Sequence, residues 1–261
     1  MSPLVPDRAE STVARIVKQP ATLTPPPHLL DYAATCAAFS WTQAAAWLDG
    51  LPGGRGLNIA HEAVDRHLLH GRGAKTAIRW LGKDGQRREL SFTDLARDTS
   101  RFANMLASLG VQAGERVFIL MGRVPELYVA VLGALKARCV VTPLFSAFGP
   151  EPIATRAEIA QARVLVTTGE IYRRKVRGLR ARLAGLRHVI VVGDSAPDPE
   201  VLPWEPLMAS AADGYEIAPT DPEDMALLHF TSGTTGRPKG AVHVHAAVVA
   251  HMATGRYALD L

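Results

Sequence analysis

The chain has 261 residues, of which 48% are hydrophobic and 21% charged; that is enough to bury a sizeable core as one or two globular domains. No stretch approaches the roughly 18 uncharged apolar residues of a membrane helix, and no apolar segment follows basic residues near the start as in a secretory leader. The two cysteines, Cys36 and Cys139, build neither a disulfide framework nor a zinc-ligand spacing, so a reducing, cytoplasmic setting without a membrane partner is expected.

Residues 1–57 read as an N-terminal extension. Pro25, Pro26 and Pro27 interrupt any helix, and the Ala- and Trp-rich segment from Tyr32 to Leu48 has room for one helix or two. Gly53, Gly54 and Gly56 mark a join; without a third spaced glycine and a preceding strand they form no dinucleotide fingerprint. From Asn58, a plausible N-cap, the pattern predicts a helix over 59–69. Strands follow at 75–80 and 88–92, with the hairpin signal Asp84-Gly85 between them. Ser91 and Asp94 have capping-box spacing, and the helix after them aligns Leu95, Phe102, Met105 and Leu106 before Gly110 ends it.

Strand and helix then alternate: strands at 117–121, 139–143, 164–167 and 188–192, helices at 125–136, 151–161 and 170–183. Continuous apolar strands separated by helices predict an α/β fold, a mostly parallel sheet with helices on both faces. The formal charge of +4 and pI of about 9.3 raise nucleic acid as a partner. The excess sits in Arg173, Arg174, Lys175, Arg177, Arg180, Arg182 and Arg187, however, with no aromatic residue after Tyr172 to stack on bases. It reads as a solvated helix face, no nucleic-acid partner is expected, and the mildly basic balance suits anionic small molecules. Residues 194–223 read as a surface connection.

An apolar run at 225–230 leads into Thr231-Ser232-Gly233-Thr234-Thr235-Gly236-Arg237-Pro238-Lys239-Gly240. Ten residues hold four hydroxyls, three glycines and two cations, with no acidic group. Glycines let backbone N–H groups form a concave nest for an anion, hydroxyls add donors to phosphate oxygens, and Lys239 and Arg237 add charge. The loop suits a polyphosphate, yet it lacks the Gly-Lys-Ser/Thr of a Walker A loop. His243, His245 and His251 raise a metal site, since 243 and 245 share a face of an extended strand. No carboxylate or cysteine stands near them in sequence, and no metal is expected there.

The ten-residue loop resembles the phosphate-loop signature of the adenylate-forming superfamily. Three further segments, Asn58 to His67, Pro125-Glu126-Leu127 and Pro143 to Gly149, together with the tail His243-Val244-His245 through Tyr257, resemble acetyl-CoA synthetases, the AMP-forming acetate–CoA ligases. The resemblance implies that residues 58–261 are the partial N-terminal domain of the adenylate-forming fold. Its implied substrates are ATP with Mg2+, coenzyme A and a small carboxylate, acetate or another short acid, activated as acyl-AMP and passed to CoA. It implies phosphate contacts from Thr231, Ser232, Gly233, Thr234, Thr235, Gly236 and Lys239, and a CoA-phosphate contact from Arg156, for which a solvated helical arginine is the plain alternative.

The family's catalytic lysine, ribose-binding aspartate, Mg2+-binding glutamate and mobile C-terminal domain correspond to sequence beyond Leu261, so no catalytic residue is assigned. A separately encoded C-terminal half is an implied partner, and the chain alone is expected to be inactive, with an unpaired sheet edge at 225–231. The alternatives are a non-catalytic nucleotide- or partner-binding module on the same scaffold, and an adenylate-forming ligase for a different carboxylate.

Overall fold

The structure, a computed structural model, describes residues 24–193, 198–231 and 237–261. Two short helices open it, α1 (Tyr32–Ala38) and α2 (Trp41–Ala45), each started by a side chain that accepts a first-turn amide: Asp31 from Ala34 N and Ser40 from Gln43 N. The next helical stretch includes a π-helical turn (His61–Asp65) that runs into α3 (Arg66–Leu69). A hairpin of β1 (Thr76–Leu81) and β2 (Arg87–Ser91) is antiparallel, with Gly85 at φ +82° in its turn. The predicted capping box is present at Ser91 and Asp94, where α4 (Phe92–Ser108) begins; such a cap is worth about 1 kcal/mol.

The main sheet then forms. Its strands are β3 (Arg116–Leu120), β4 (Val140–Pro143), β5 (Val164–Thr168), β6 (His188–Val192), β7 (Leu202–Pro203), β8 (Met225–Thr231) and β9 (Lys239–Val244). Their order is β7-β6-β5-β3-β4-β8-β9; all pairs are parallel except β8 with β9. Helix α5 (Pro125–Lys136) connects β3 to β4, and α6 (Pro150–Ala160) carries the chain from β4 to β5 on the far side of β3.

Alternate residues of the strands feed two cores, as period-2 geometry requires. Val117, Ile119, Val141, Val166 and Ile190 pack with Phe102, Met105 and Leu106 of α4 and Ala134 of α5. Phe118, Leu120, Leu165, Val189 and Val191 pack with Ile153 and Ala157 of α6 and with Tyr172, Val176 and Leu179. Gly133 sets the α4–α5 spacing: a Cβ there would lie 2.7 Å from Phe102 Cβ and 2.8 Å from the Thr99 carbonyl oxygen. The doubly covered α/β sheet expected from the strand–helix alternation is therefore present.

Three expectations need correction. The segment 170–183 is not one α-helix but α7 (Gly169–Ile171), a π-helical turn (Tyr172–Val176) and a 3-10 turn (Arg177–Leu179). The connection 194–223 carries β7 and α8 (Trp204–Ser210). Trp204, Leu207 and Met208 have helical i, i+3, i+4 spacing and face the first core, and Pro206 lies in the first turn, where its missing N–H costs little. The edge at Met225–Thr231 is not unpaired: β8 lies between β4 and β9, and among the described residues the open edge is β9, followed by α9 (Ala247–Ala258). The basic stretch is laced with surface ion pairs, Arg174 to Glu170, Arg182 to both Glu151 and Glu158, and Arg187 to Glu115.

Candidate phosphate-binding site

β8 runs parallel to β4, so Thr231 leaves the sheet at its carboxyl edge. Ligands of open α/β sheets bind at that edge. Thr231 and Lys239 face each other as the last ladder pair of the β8–β9 hairpin, and the Thr231 hydroxyl lies 3.4 Å from the Lys239 carbonyl oxygen. Both residues are exposed. Ser232, Gly233, Thr234, Thr235 and Gly236, the rest of the expected phosphate loop, lie outside the described residues. The hairpin thus fixes the two ends of the loop at one ladder position, with the Lys239 side chain free to reach an anion between them.

Arg156 reaches this region from α6. It is half-buried and donates through Nη1 to the Pro152 carbonyl oxygen at 2.9 Å. Its guanidinium stands 4.4 Å from the centre of the Phe148 ring and 5.8 Å from that of Phe230, and its Nε is buried without a partner among the described residues. This is not a solvated helical arginine: it is a cation stacked on two aromatic rings, one residue from Thr231 through Phe230. Lys175 donates to the Ser146 carbonyl oxygen at 2.5 Å and holds the loop that carries Phe148. These aromatic partners were not foreseen, because the contact of Phe230 with Arg156 spans 74 residues and leaves no local pattern.

The base of the hairpin is anchored from behind. His245, directly after β9, is fully buried and its Nδ1 accepts the Ile59 amide at 3.1 Å; that bond places the proton of the neutral ring on Nε2. Burial holds its pKa down at about 4, with Asp224 opposing and Arg138 adding to the shift. Asn58 donates to the Leu135 carbonyl oxygen and accepts from Ala60 N, both at 2.9 Å. One step earlier, Leu57 N donates to Thr220 O and Thr220 N to Arg55 O. The segment 55–60 therefore ties α5, the strap before β8 and the end of β9 together. His243 is exposed on β9, so the expected shared face of His243 and His245 is not realised: the strand ends at Val244.

The family described as AMP-binding enzyme matches residues 66–260. The chain belongs to that family. It is 37% identical over 237 residues to the acetyl-coenzyme A synthetase of Bacillus subtilis, covering 90% of this chain and 40% of the relative. It is 34% identical over 221 residues to that of Mycobacterium bovis, covering 78% and 33%. Among solved structures it resembles a Brucella canis acyl-CoA synthetase, with a TM-score of 0.75, 31% identity and coverage of 86% of this chain and 40% of the other. It also resembles the anthranilate CoA ligase AuaEII in complex with anthranoyl-AMP, with a TM-score of 0.67, 26% identity and coverage of 79% and 36%.

The chain thus spans about two fifths or less of these AMP-binding relatives. Its doubly covered sheet is the fold shared with the acyl-CoA synthetases, and the resemblance read from the loop and the flanking segments holds.

Proposed function

We propose that this chain supplies the ATP-phosphate loop and part of the CoA site of an AMP-forming ligase that activates acetate or another short carboxylate as acyl-AMP and transfers the acyl group to CoA. The observation that carries this reading is the Thr231–Lys239 hairpin at the carboxyl edge of the sheet, framing a Gly/Thr-rich loop within the family match. The relatives' names favour acetate among carboxylates.

In the first half-reaction a carboxylate oxygen attacks the α-phosphorus of ATP, and pyrophosphate leaves. Thr231, Ser232, Thr234 and Thr235 hydroxyls, amides around Gly233 and Gly236, and the Lys239 ammonium hold the β- and γ-phosphates and stabilise charge on the departing pyrophosphate. In the second, the CoA thiolate attacks the acyl carbonyl and AMP leaves. Arg156, its guanidinium held beside the Phe148 and Phe230 rings, presents a cation to a CoA phosphate. Mg2+ would neutralise phosphate charge; among the described residues no group of three or more His, Cys, Asp or Glu stands together to hold an ion, so no ligand for it is assigned here.

The test is to join this chain to the C-terminal part of an acetyl-coenzyme A synthetase and assay acetate, ATP and CoA. The joined protein should form acetyl-CoA while the isolated chain stays at background, and Arg156→Ala should raise KM for CoA about tenfold with KM for ATP unchanged, as loss of one charge-assisted contact implies. Equal activity of the isolated chain, or an Arg156 effect confined to ATP, contradicts the reading.

A further inference from the structure

The β8–β9 hairpin carries a second cluster that the phosphate chemistry does not use. Leu227 faces His243 and His229 faces Ala241 in the antiparallel register. Residues two apart on a strand share a face, so His229 and His243 are diagonal neighbours on one face of the hairpin. Their ring centres lie 5.4 Å apart with the planes at 87°. Both residues are exposed, and neither ring takes part in a hydrogen bond among the described residues.

We propose that His229 and His243 form a two-imidazole site for a divalent first-row transition-metal ion, with water completing its coordination. Imidazole nitrogen suits Zn2+, Ni2+ and Cu2+ rather than the hard Mg2+ that accompanies ATP. With metal–nitrogen bonds of about 2.0–2.1 Å, the ring centres of two adjacent ligands stand roughly 4.5–5.2 Å apart. The observed separation is a few tenths of an ångström beyond that range. Closing it needs a small rotation about χ1 within its rotamer well, while χ2, which is broad for histidine, turns the ring nitrogens toward the ion.

Among the described residues no carboxylate joins the pair, so the site is cationic when filled. Lys239 stands on the same face at the next-but-one position of β9. Lys239 is exposed and salt screens its charge over a Debye length of about 8 Å, so it weakens binding without preventing it. The antiparallel hairpin fixes the spacing of the two ligands, so the second imidazole binds intramolecularly.

The experiment titrates the whole 261-residue chain with Ni2+ by calorimetry and with Cu2+ by electron paramagnetic resonance. One site should appear, with two nitrogen ligands in the Cu2+ spectrum. His229→Gln and His243→Gln should each lower Ni2+ affinity at least roughly tenfold, and the double variant should lose little more than either single one, because one missing ligand already removes chelation. Because both side chains are exposed, thermal melts of the variants should match the parent. His251→Gln, on α9, should leave the affinity unchanged. Affinity insensitive to both hairpin variants, or losses that add as for two independent histidines, would overturn the site and leave the pair as an edge-to-face packing contact.

Discussion

Replacing His245 with Asn removes a titrating group and leaves an acceptor: the Asn amide oxygen can take the place of Nδ1 opposite the Ile59 amide. In the folded chain burial holds His245 at about 4, against about 6.5 when unfolded. Above pH 6.5 the ring is neutral in both states and stability is full. Between 6.5 and 4 the unfolded chain binds the proton and the folded chain does not, so stability falls as pH falls; below 4 both bind it and the loss is complete. A difference of about 2.5 units corresponds to about 3 kcal/mol. Asp224 and Arg138, the charged groups facing the ring, stay in place in the variant. Urea unfolding at pH 7.5, 6.5, 5.5 and 4.5 measures the effect. The parent should lose between about 2 and 3 kcal/mol more than His245→Asn across that range, because the carboxylates held low, such as Asp49 and Asp94, are common to both proteins and cancel. Parallel stability profiles would refute the buried neutral anchor, as would ring nitrogen shifts showing the proton on Nδ1.

Gly56 has φ +104°, and a Cβ there would lie 1.8 Å from the Thr220 carbonyl oxygen. Gly56→Ala should therefore destabilise by about 3 kcal/mol or more, combining backbone strain with overpacking; a melt like the parent's would mean the 55–57 to 220 pairing is dispensable. Phe102→Ala, at a fully buried ring stacked 5.2 Å from Trp204, should cost about 3–5 kcal/mol in chemical unfolding. The open strand β9, with Val242 half exposed, should drive concentration-dependent association in size-exclusion chromatography, and Val242→Lys should reduce it; a monomer at every concentration would show that the edge is protected.

The strand–helix alternation was legible because each buried strand is a continuous apolar run bounded by a helix with its own start signal, as at Ser91 or Pro125. The missed helix α8 is short and was hidden by Pro203 and Pro206, although Trp204 and Met208 already carried its periodicity. The basic stretch at 170–183 reads as an ordinary helix, because nothing local announces the π-helical turn at Tyr172–Val176. At the proposed site, the hydroxyls, glycines and cations of 231–240 marked a loop suited to phosphate, and the roles of Thr231 and Lys239 came with the resemblance. The Arg156–Phe230 contact and the Ile59–His245 bond were not legible, since each joins segments whose proximity depends on the sheet order. Strand β9 illustrates the same limit: its polar, exposed residues carry no apolar run, yet pairing with β8 forms it and moves the open edge from 225–231 to 239–244.

In the proposed function the loop between Thr231 and Lys239 holds ATP phosphates. The most direct test is acetate-dependent ATP–pyrophosphate exchange by this chain joined to the C-terminal part of an acetyl-coenzyme A synthetase, with thermal melts alongside. Replacing both Thr234 and Thr235 with Ala should lower exchange at subsaturating ATP tenfold or more, at about 1.5–3 kcal/mol per hydroxyl lost from a charged phosphate, while the melt is unchanged. Gly233→Val should be worse, because its side chain obstructs backbone approach to the phosphate. Exchange equal to that of the parent, or a loss of exchange that tracks a loss of stability, would contradict the account.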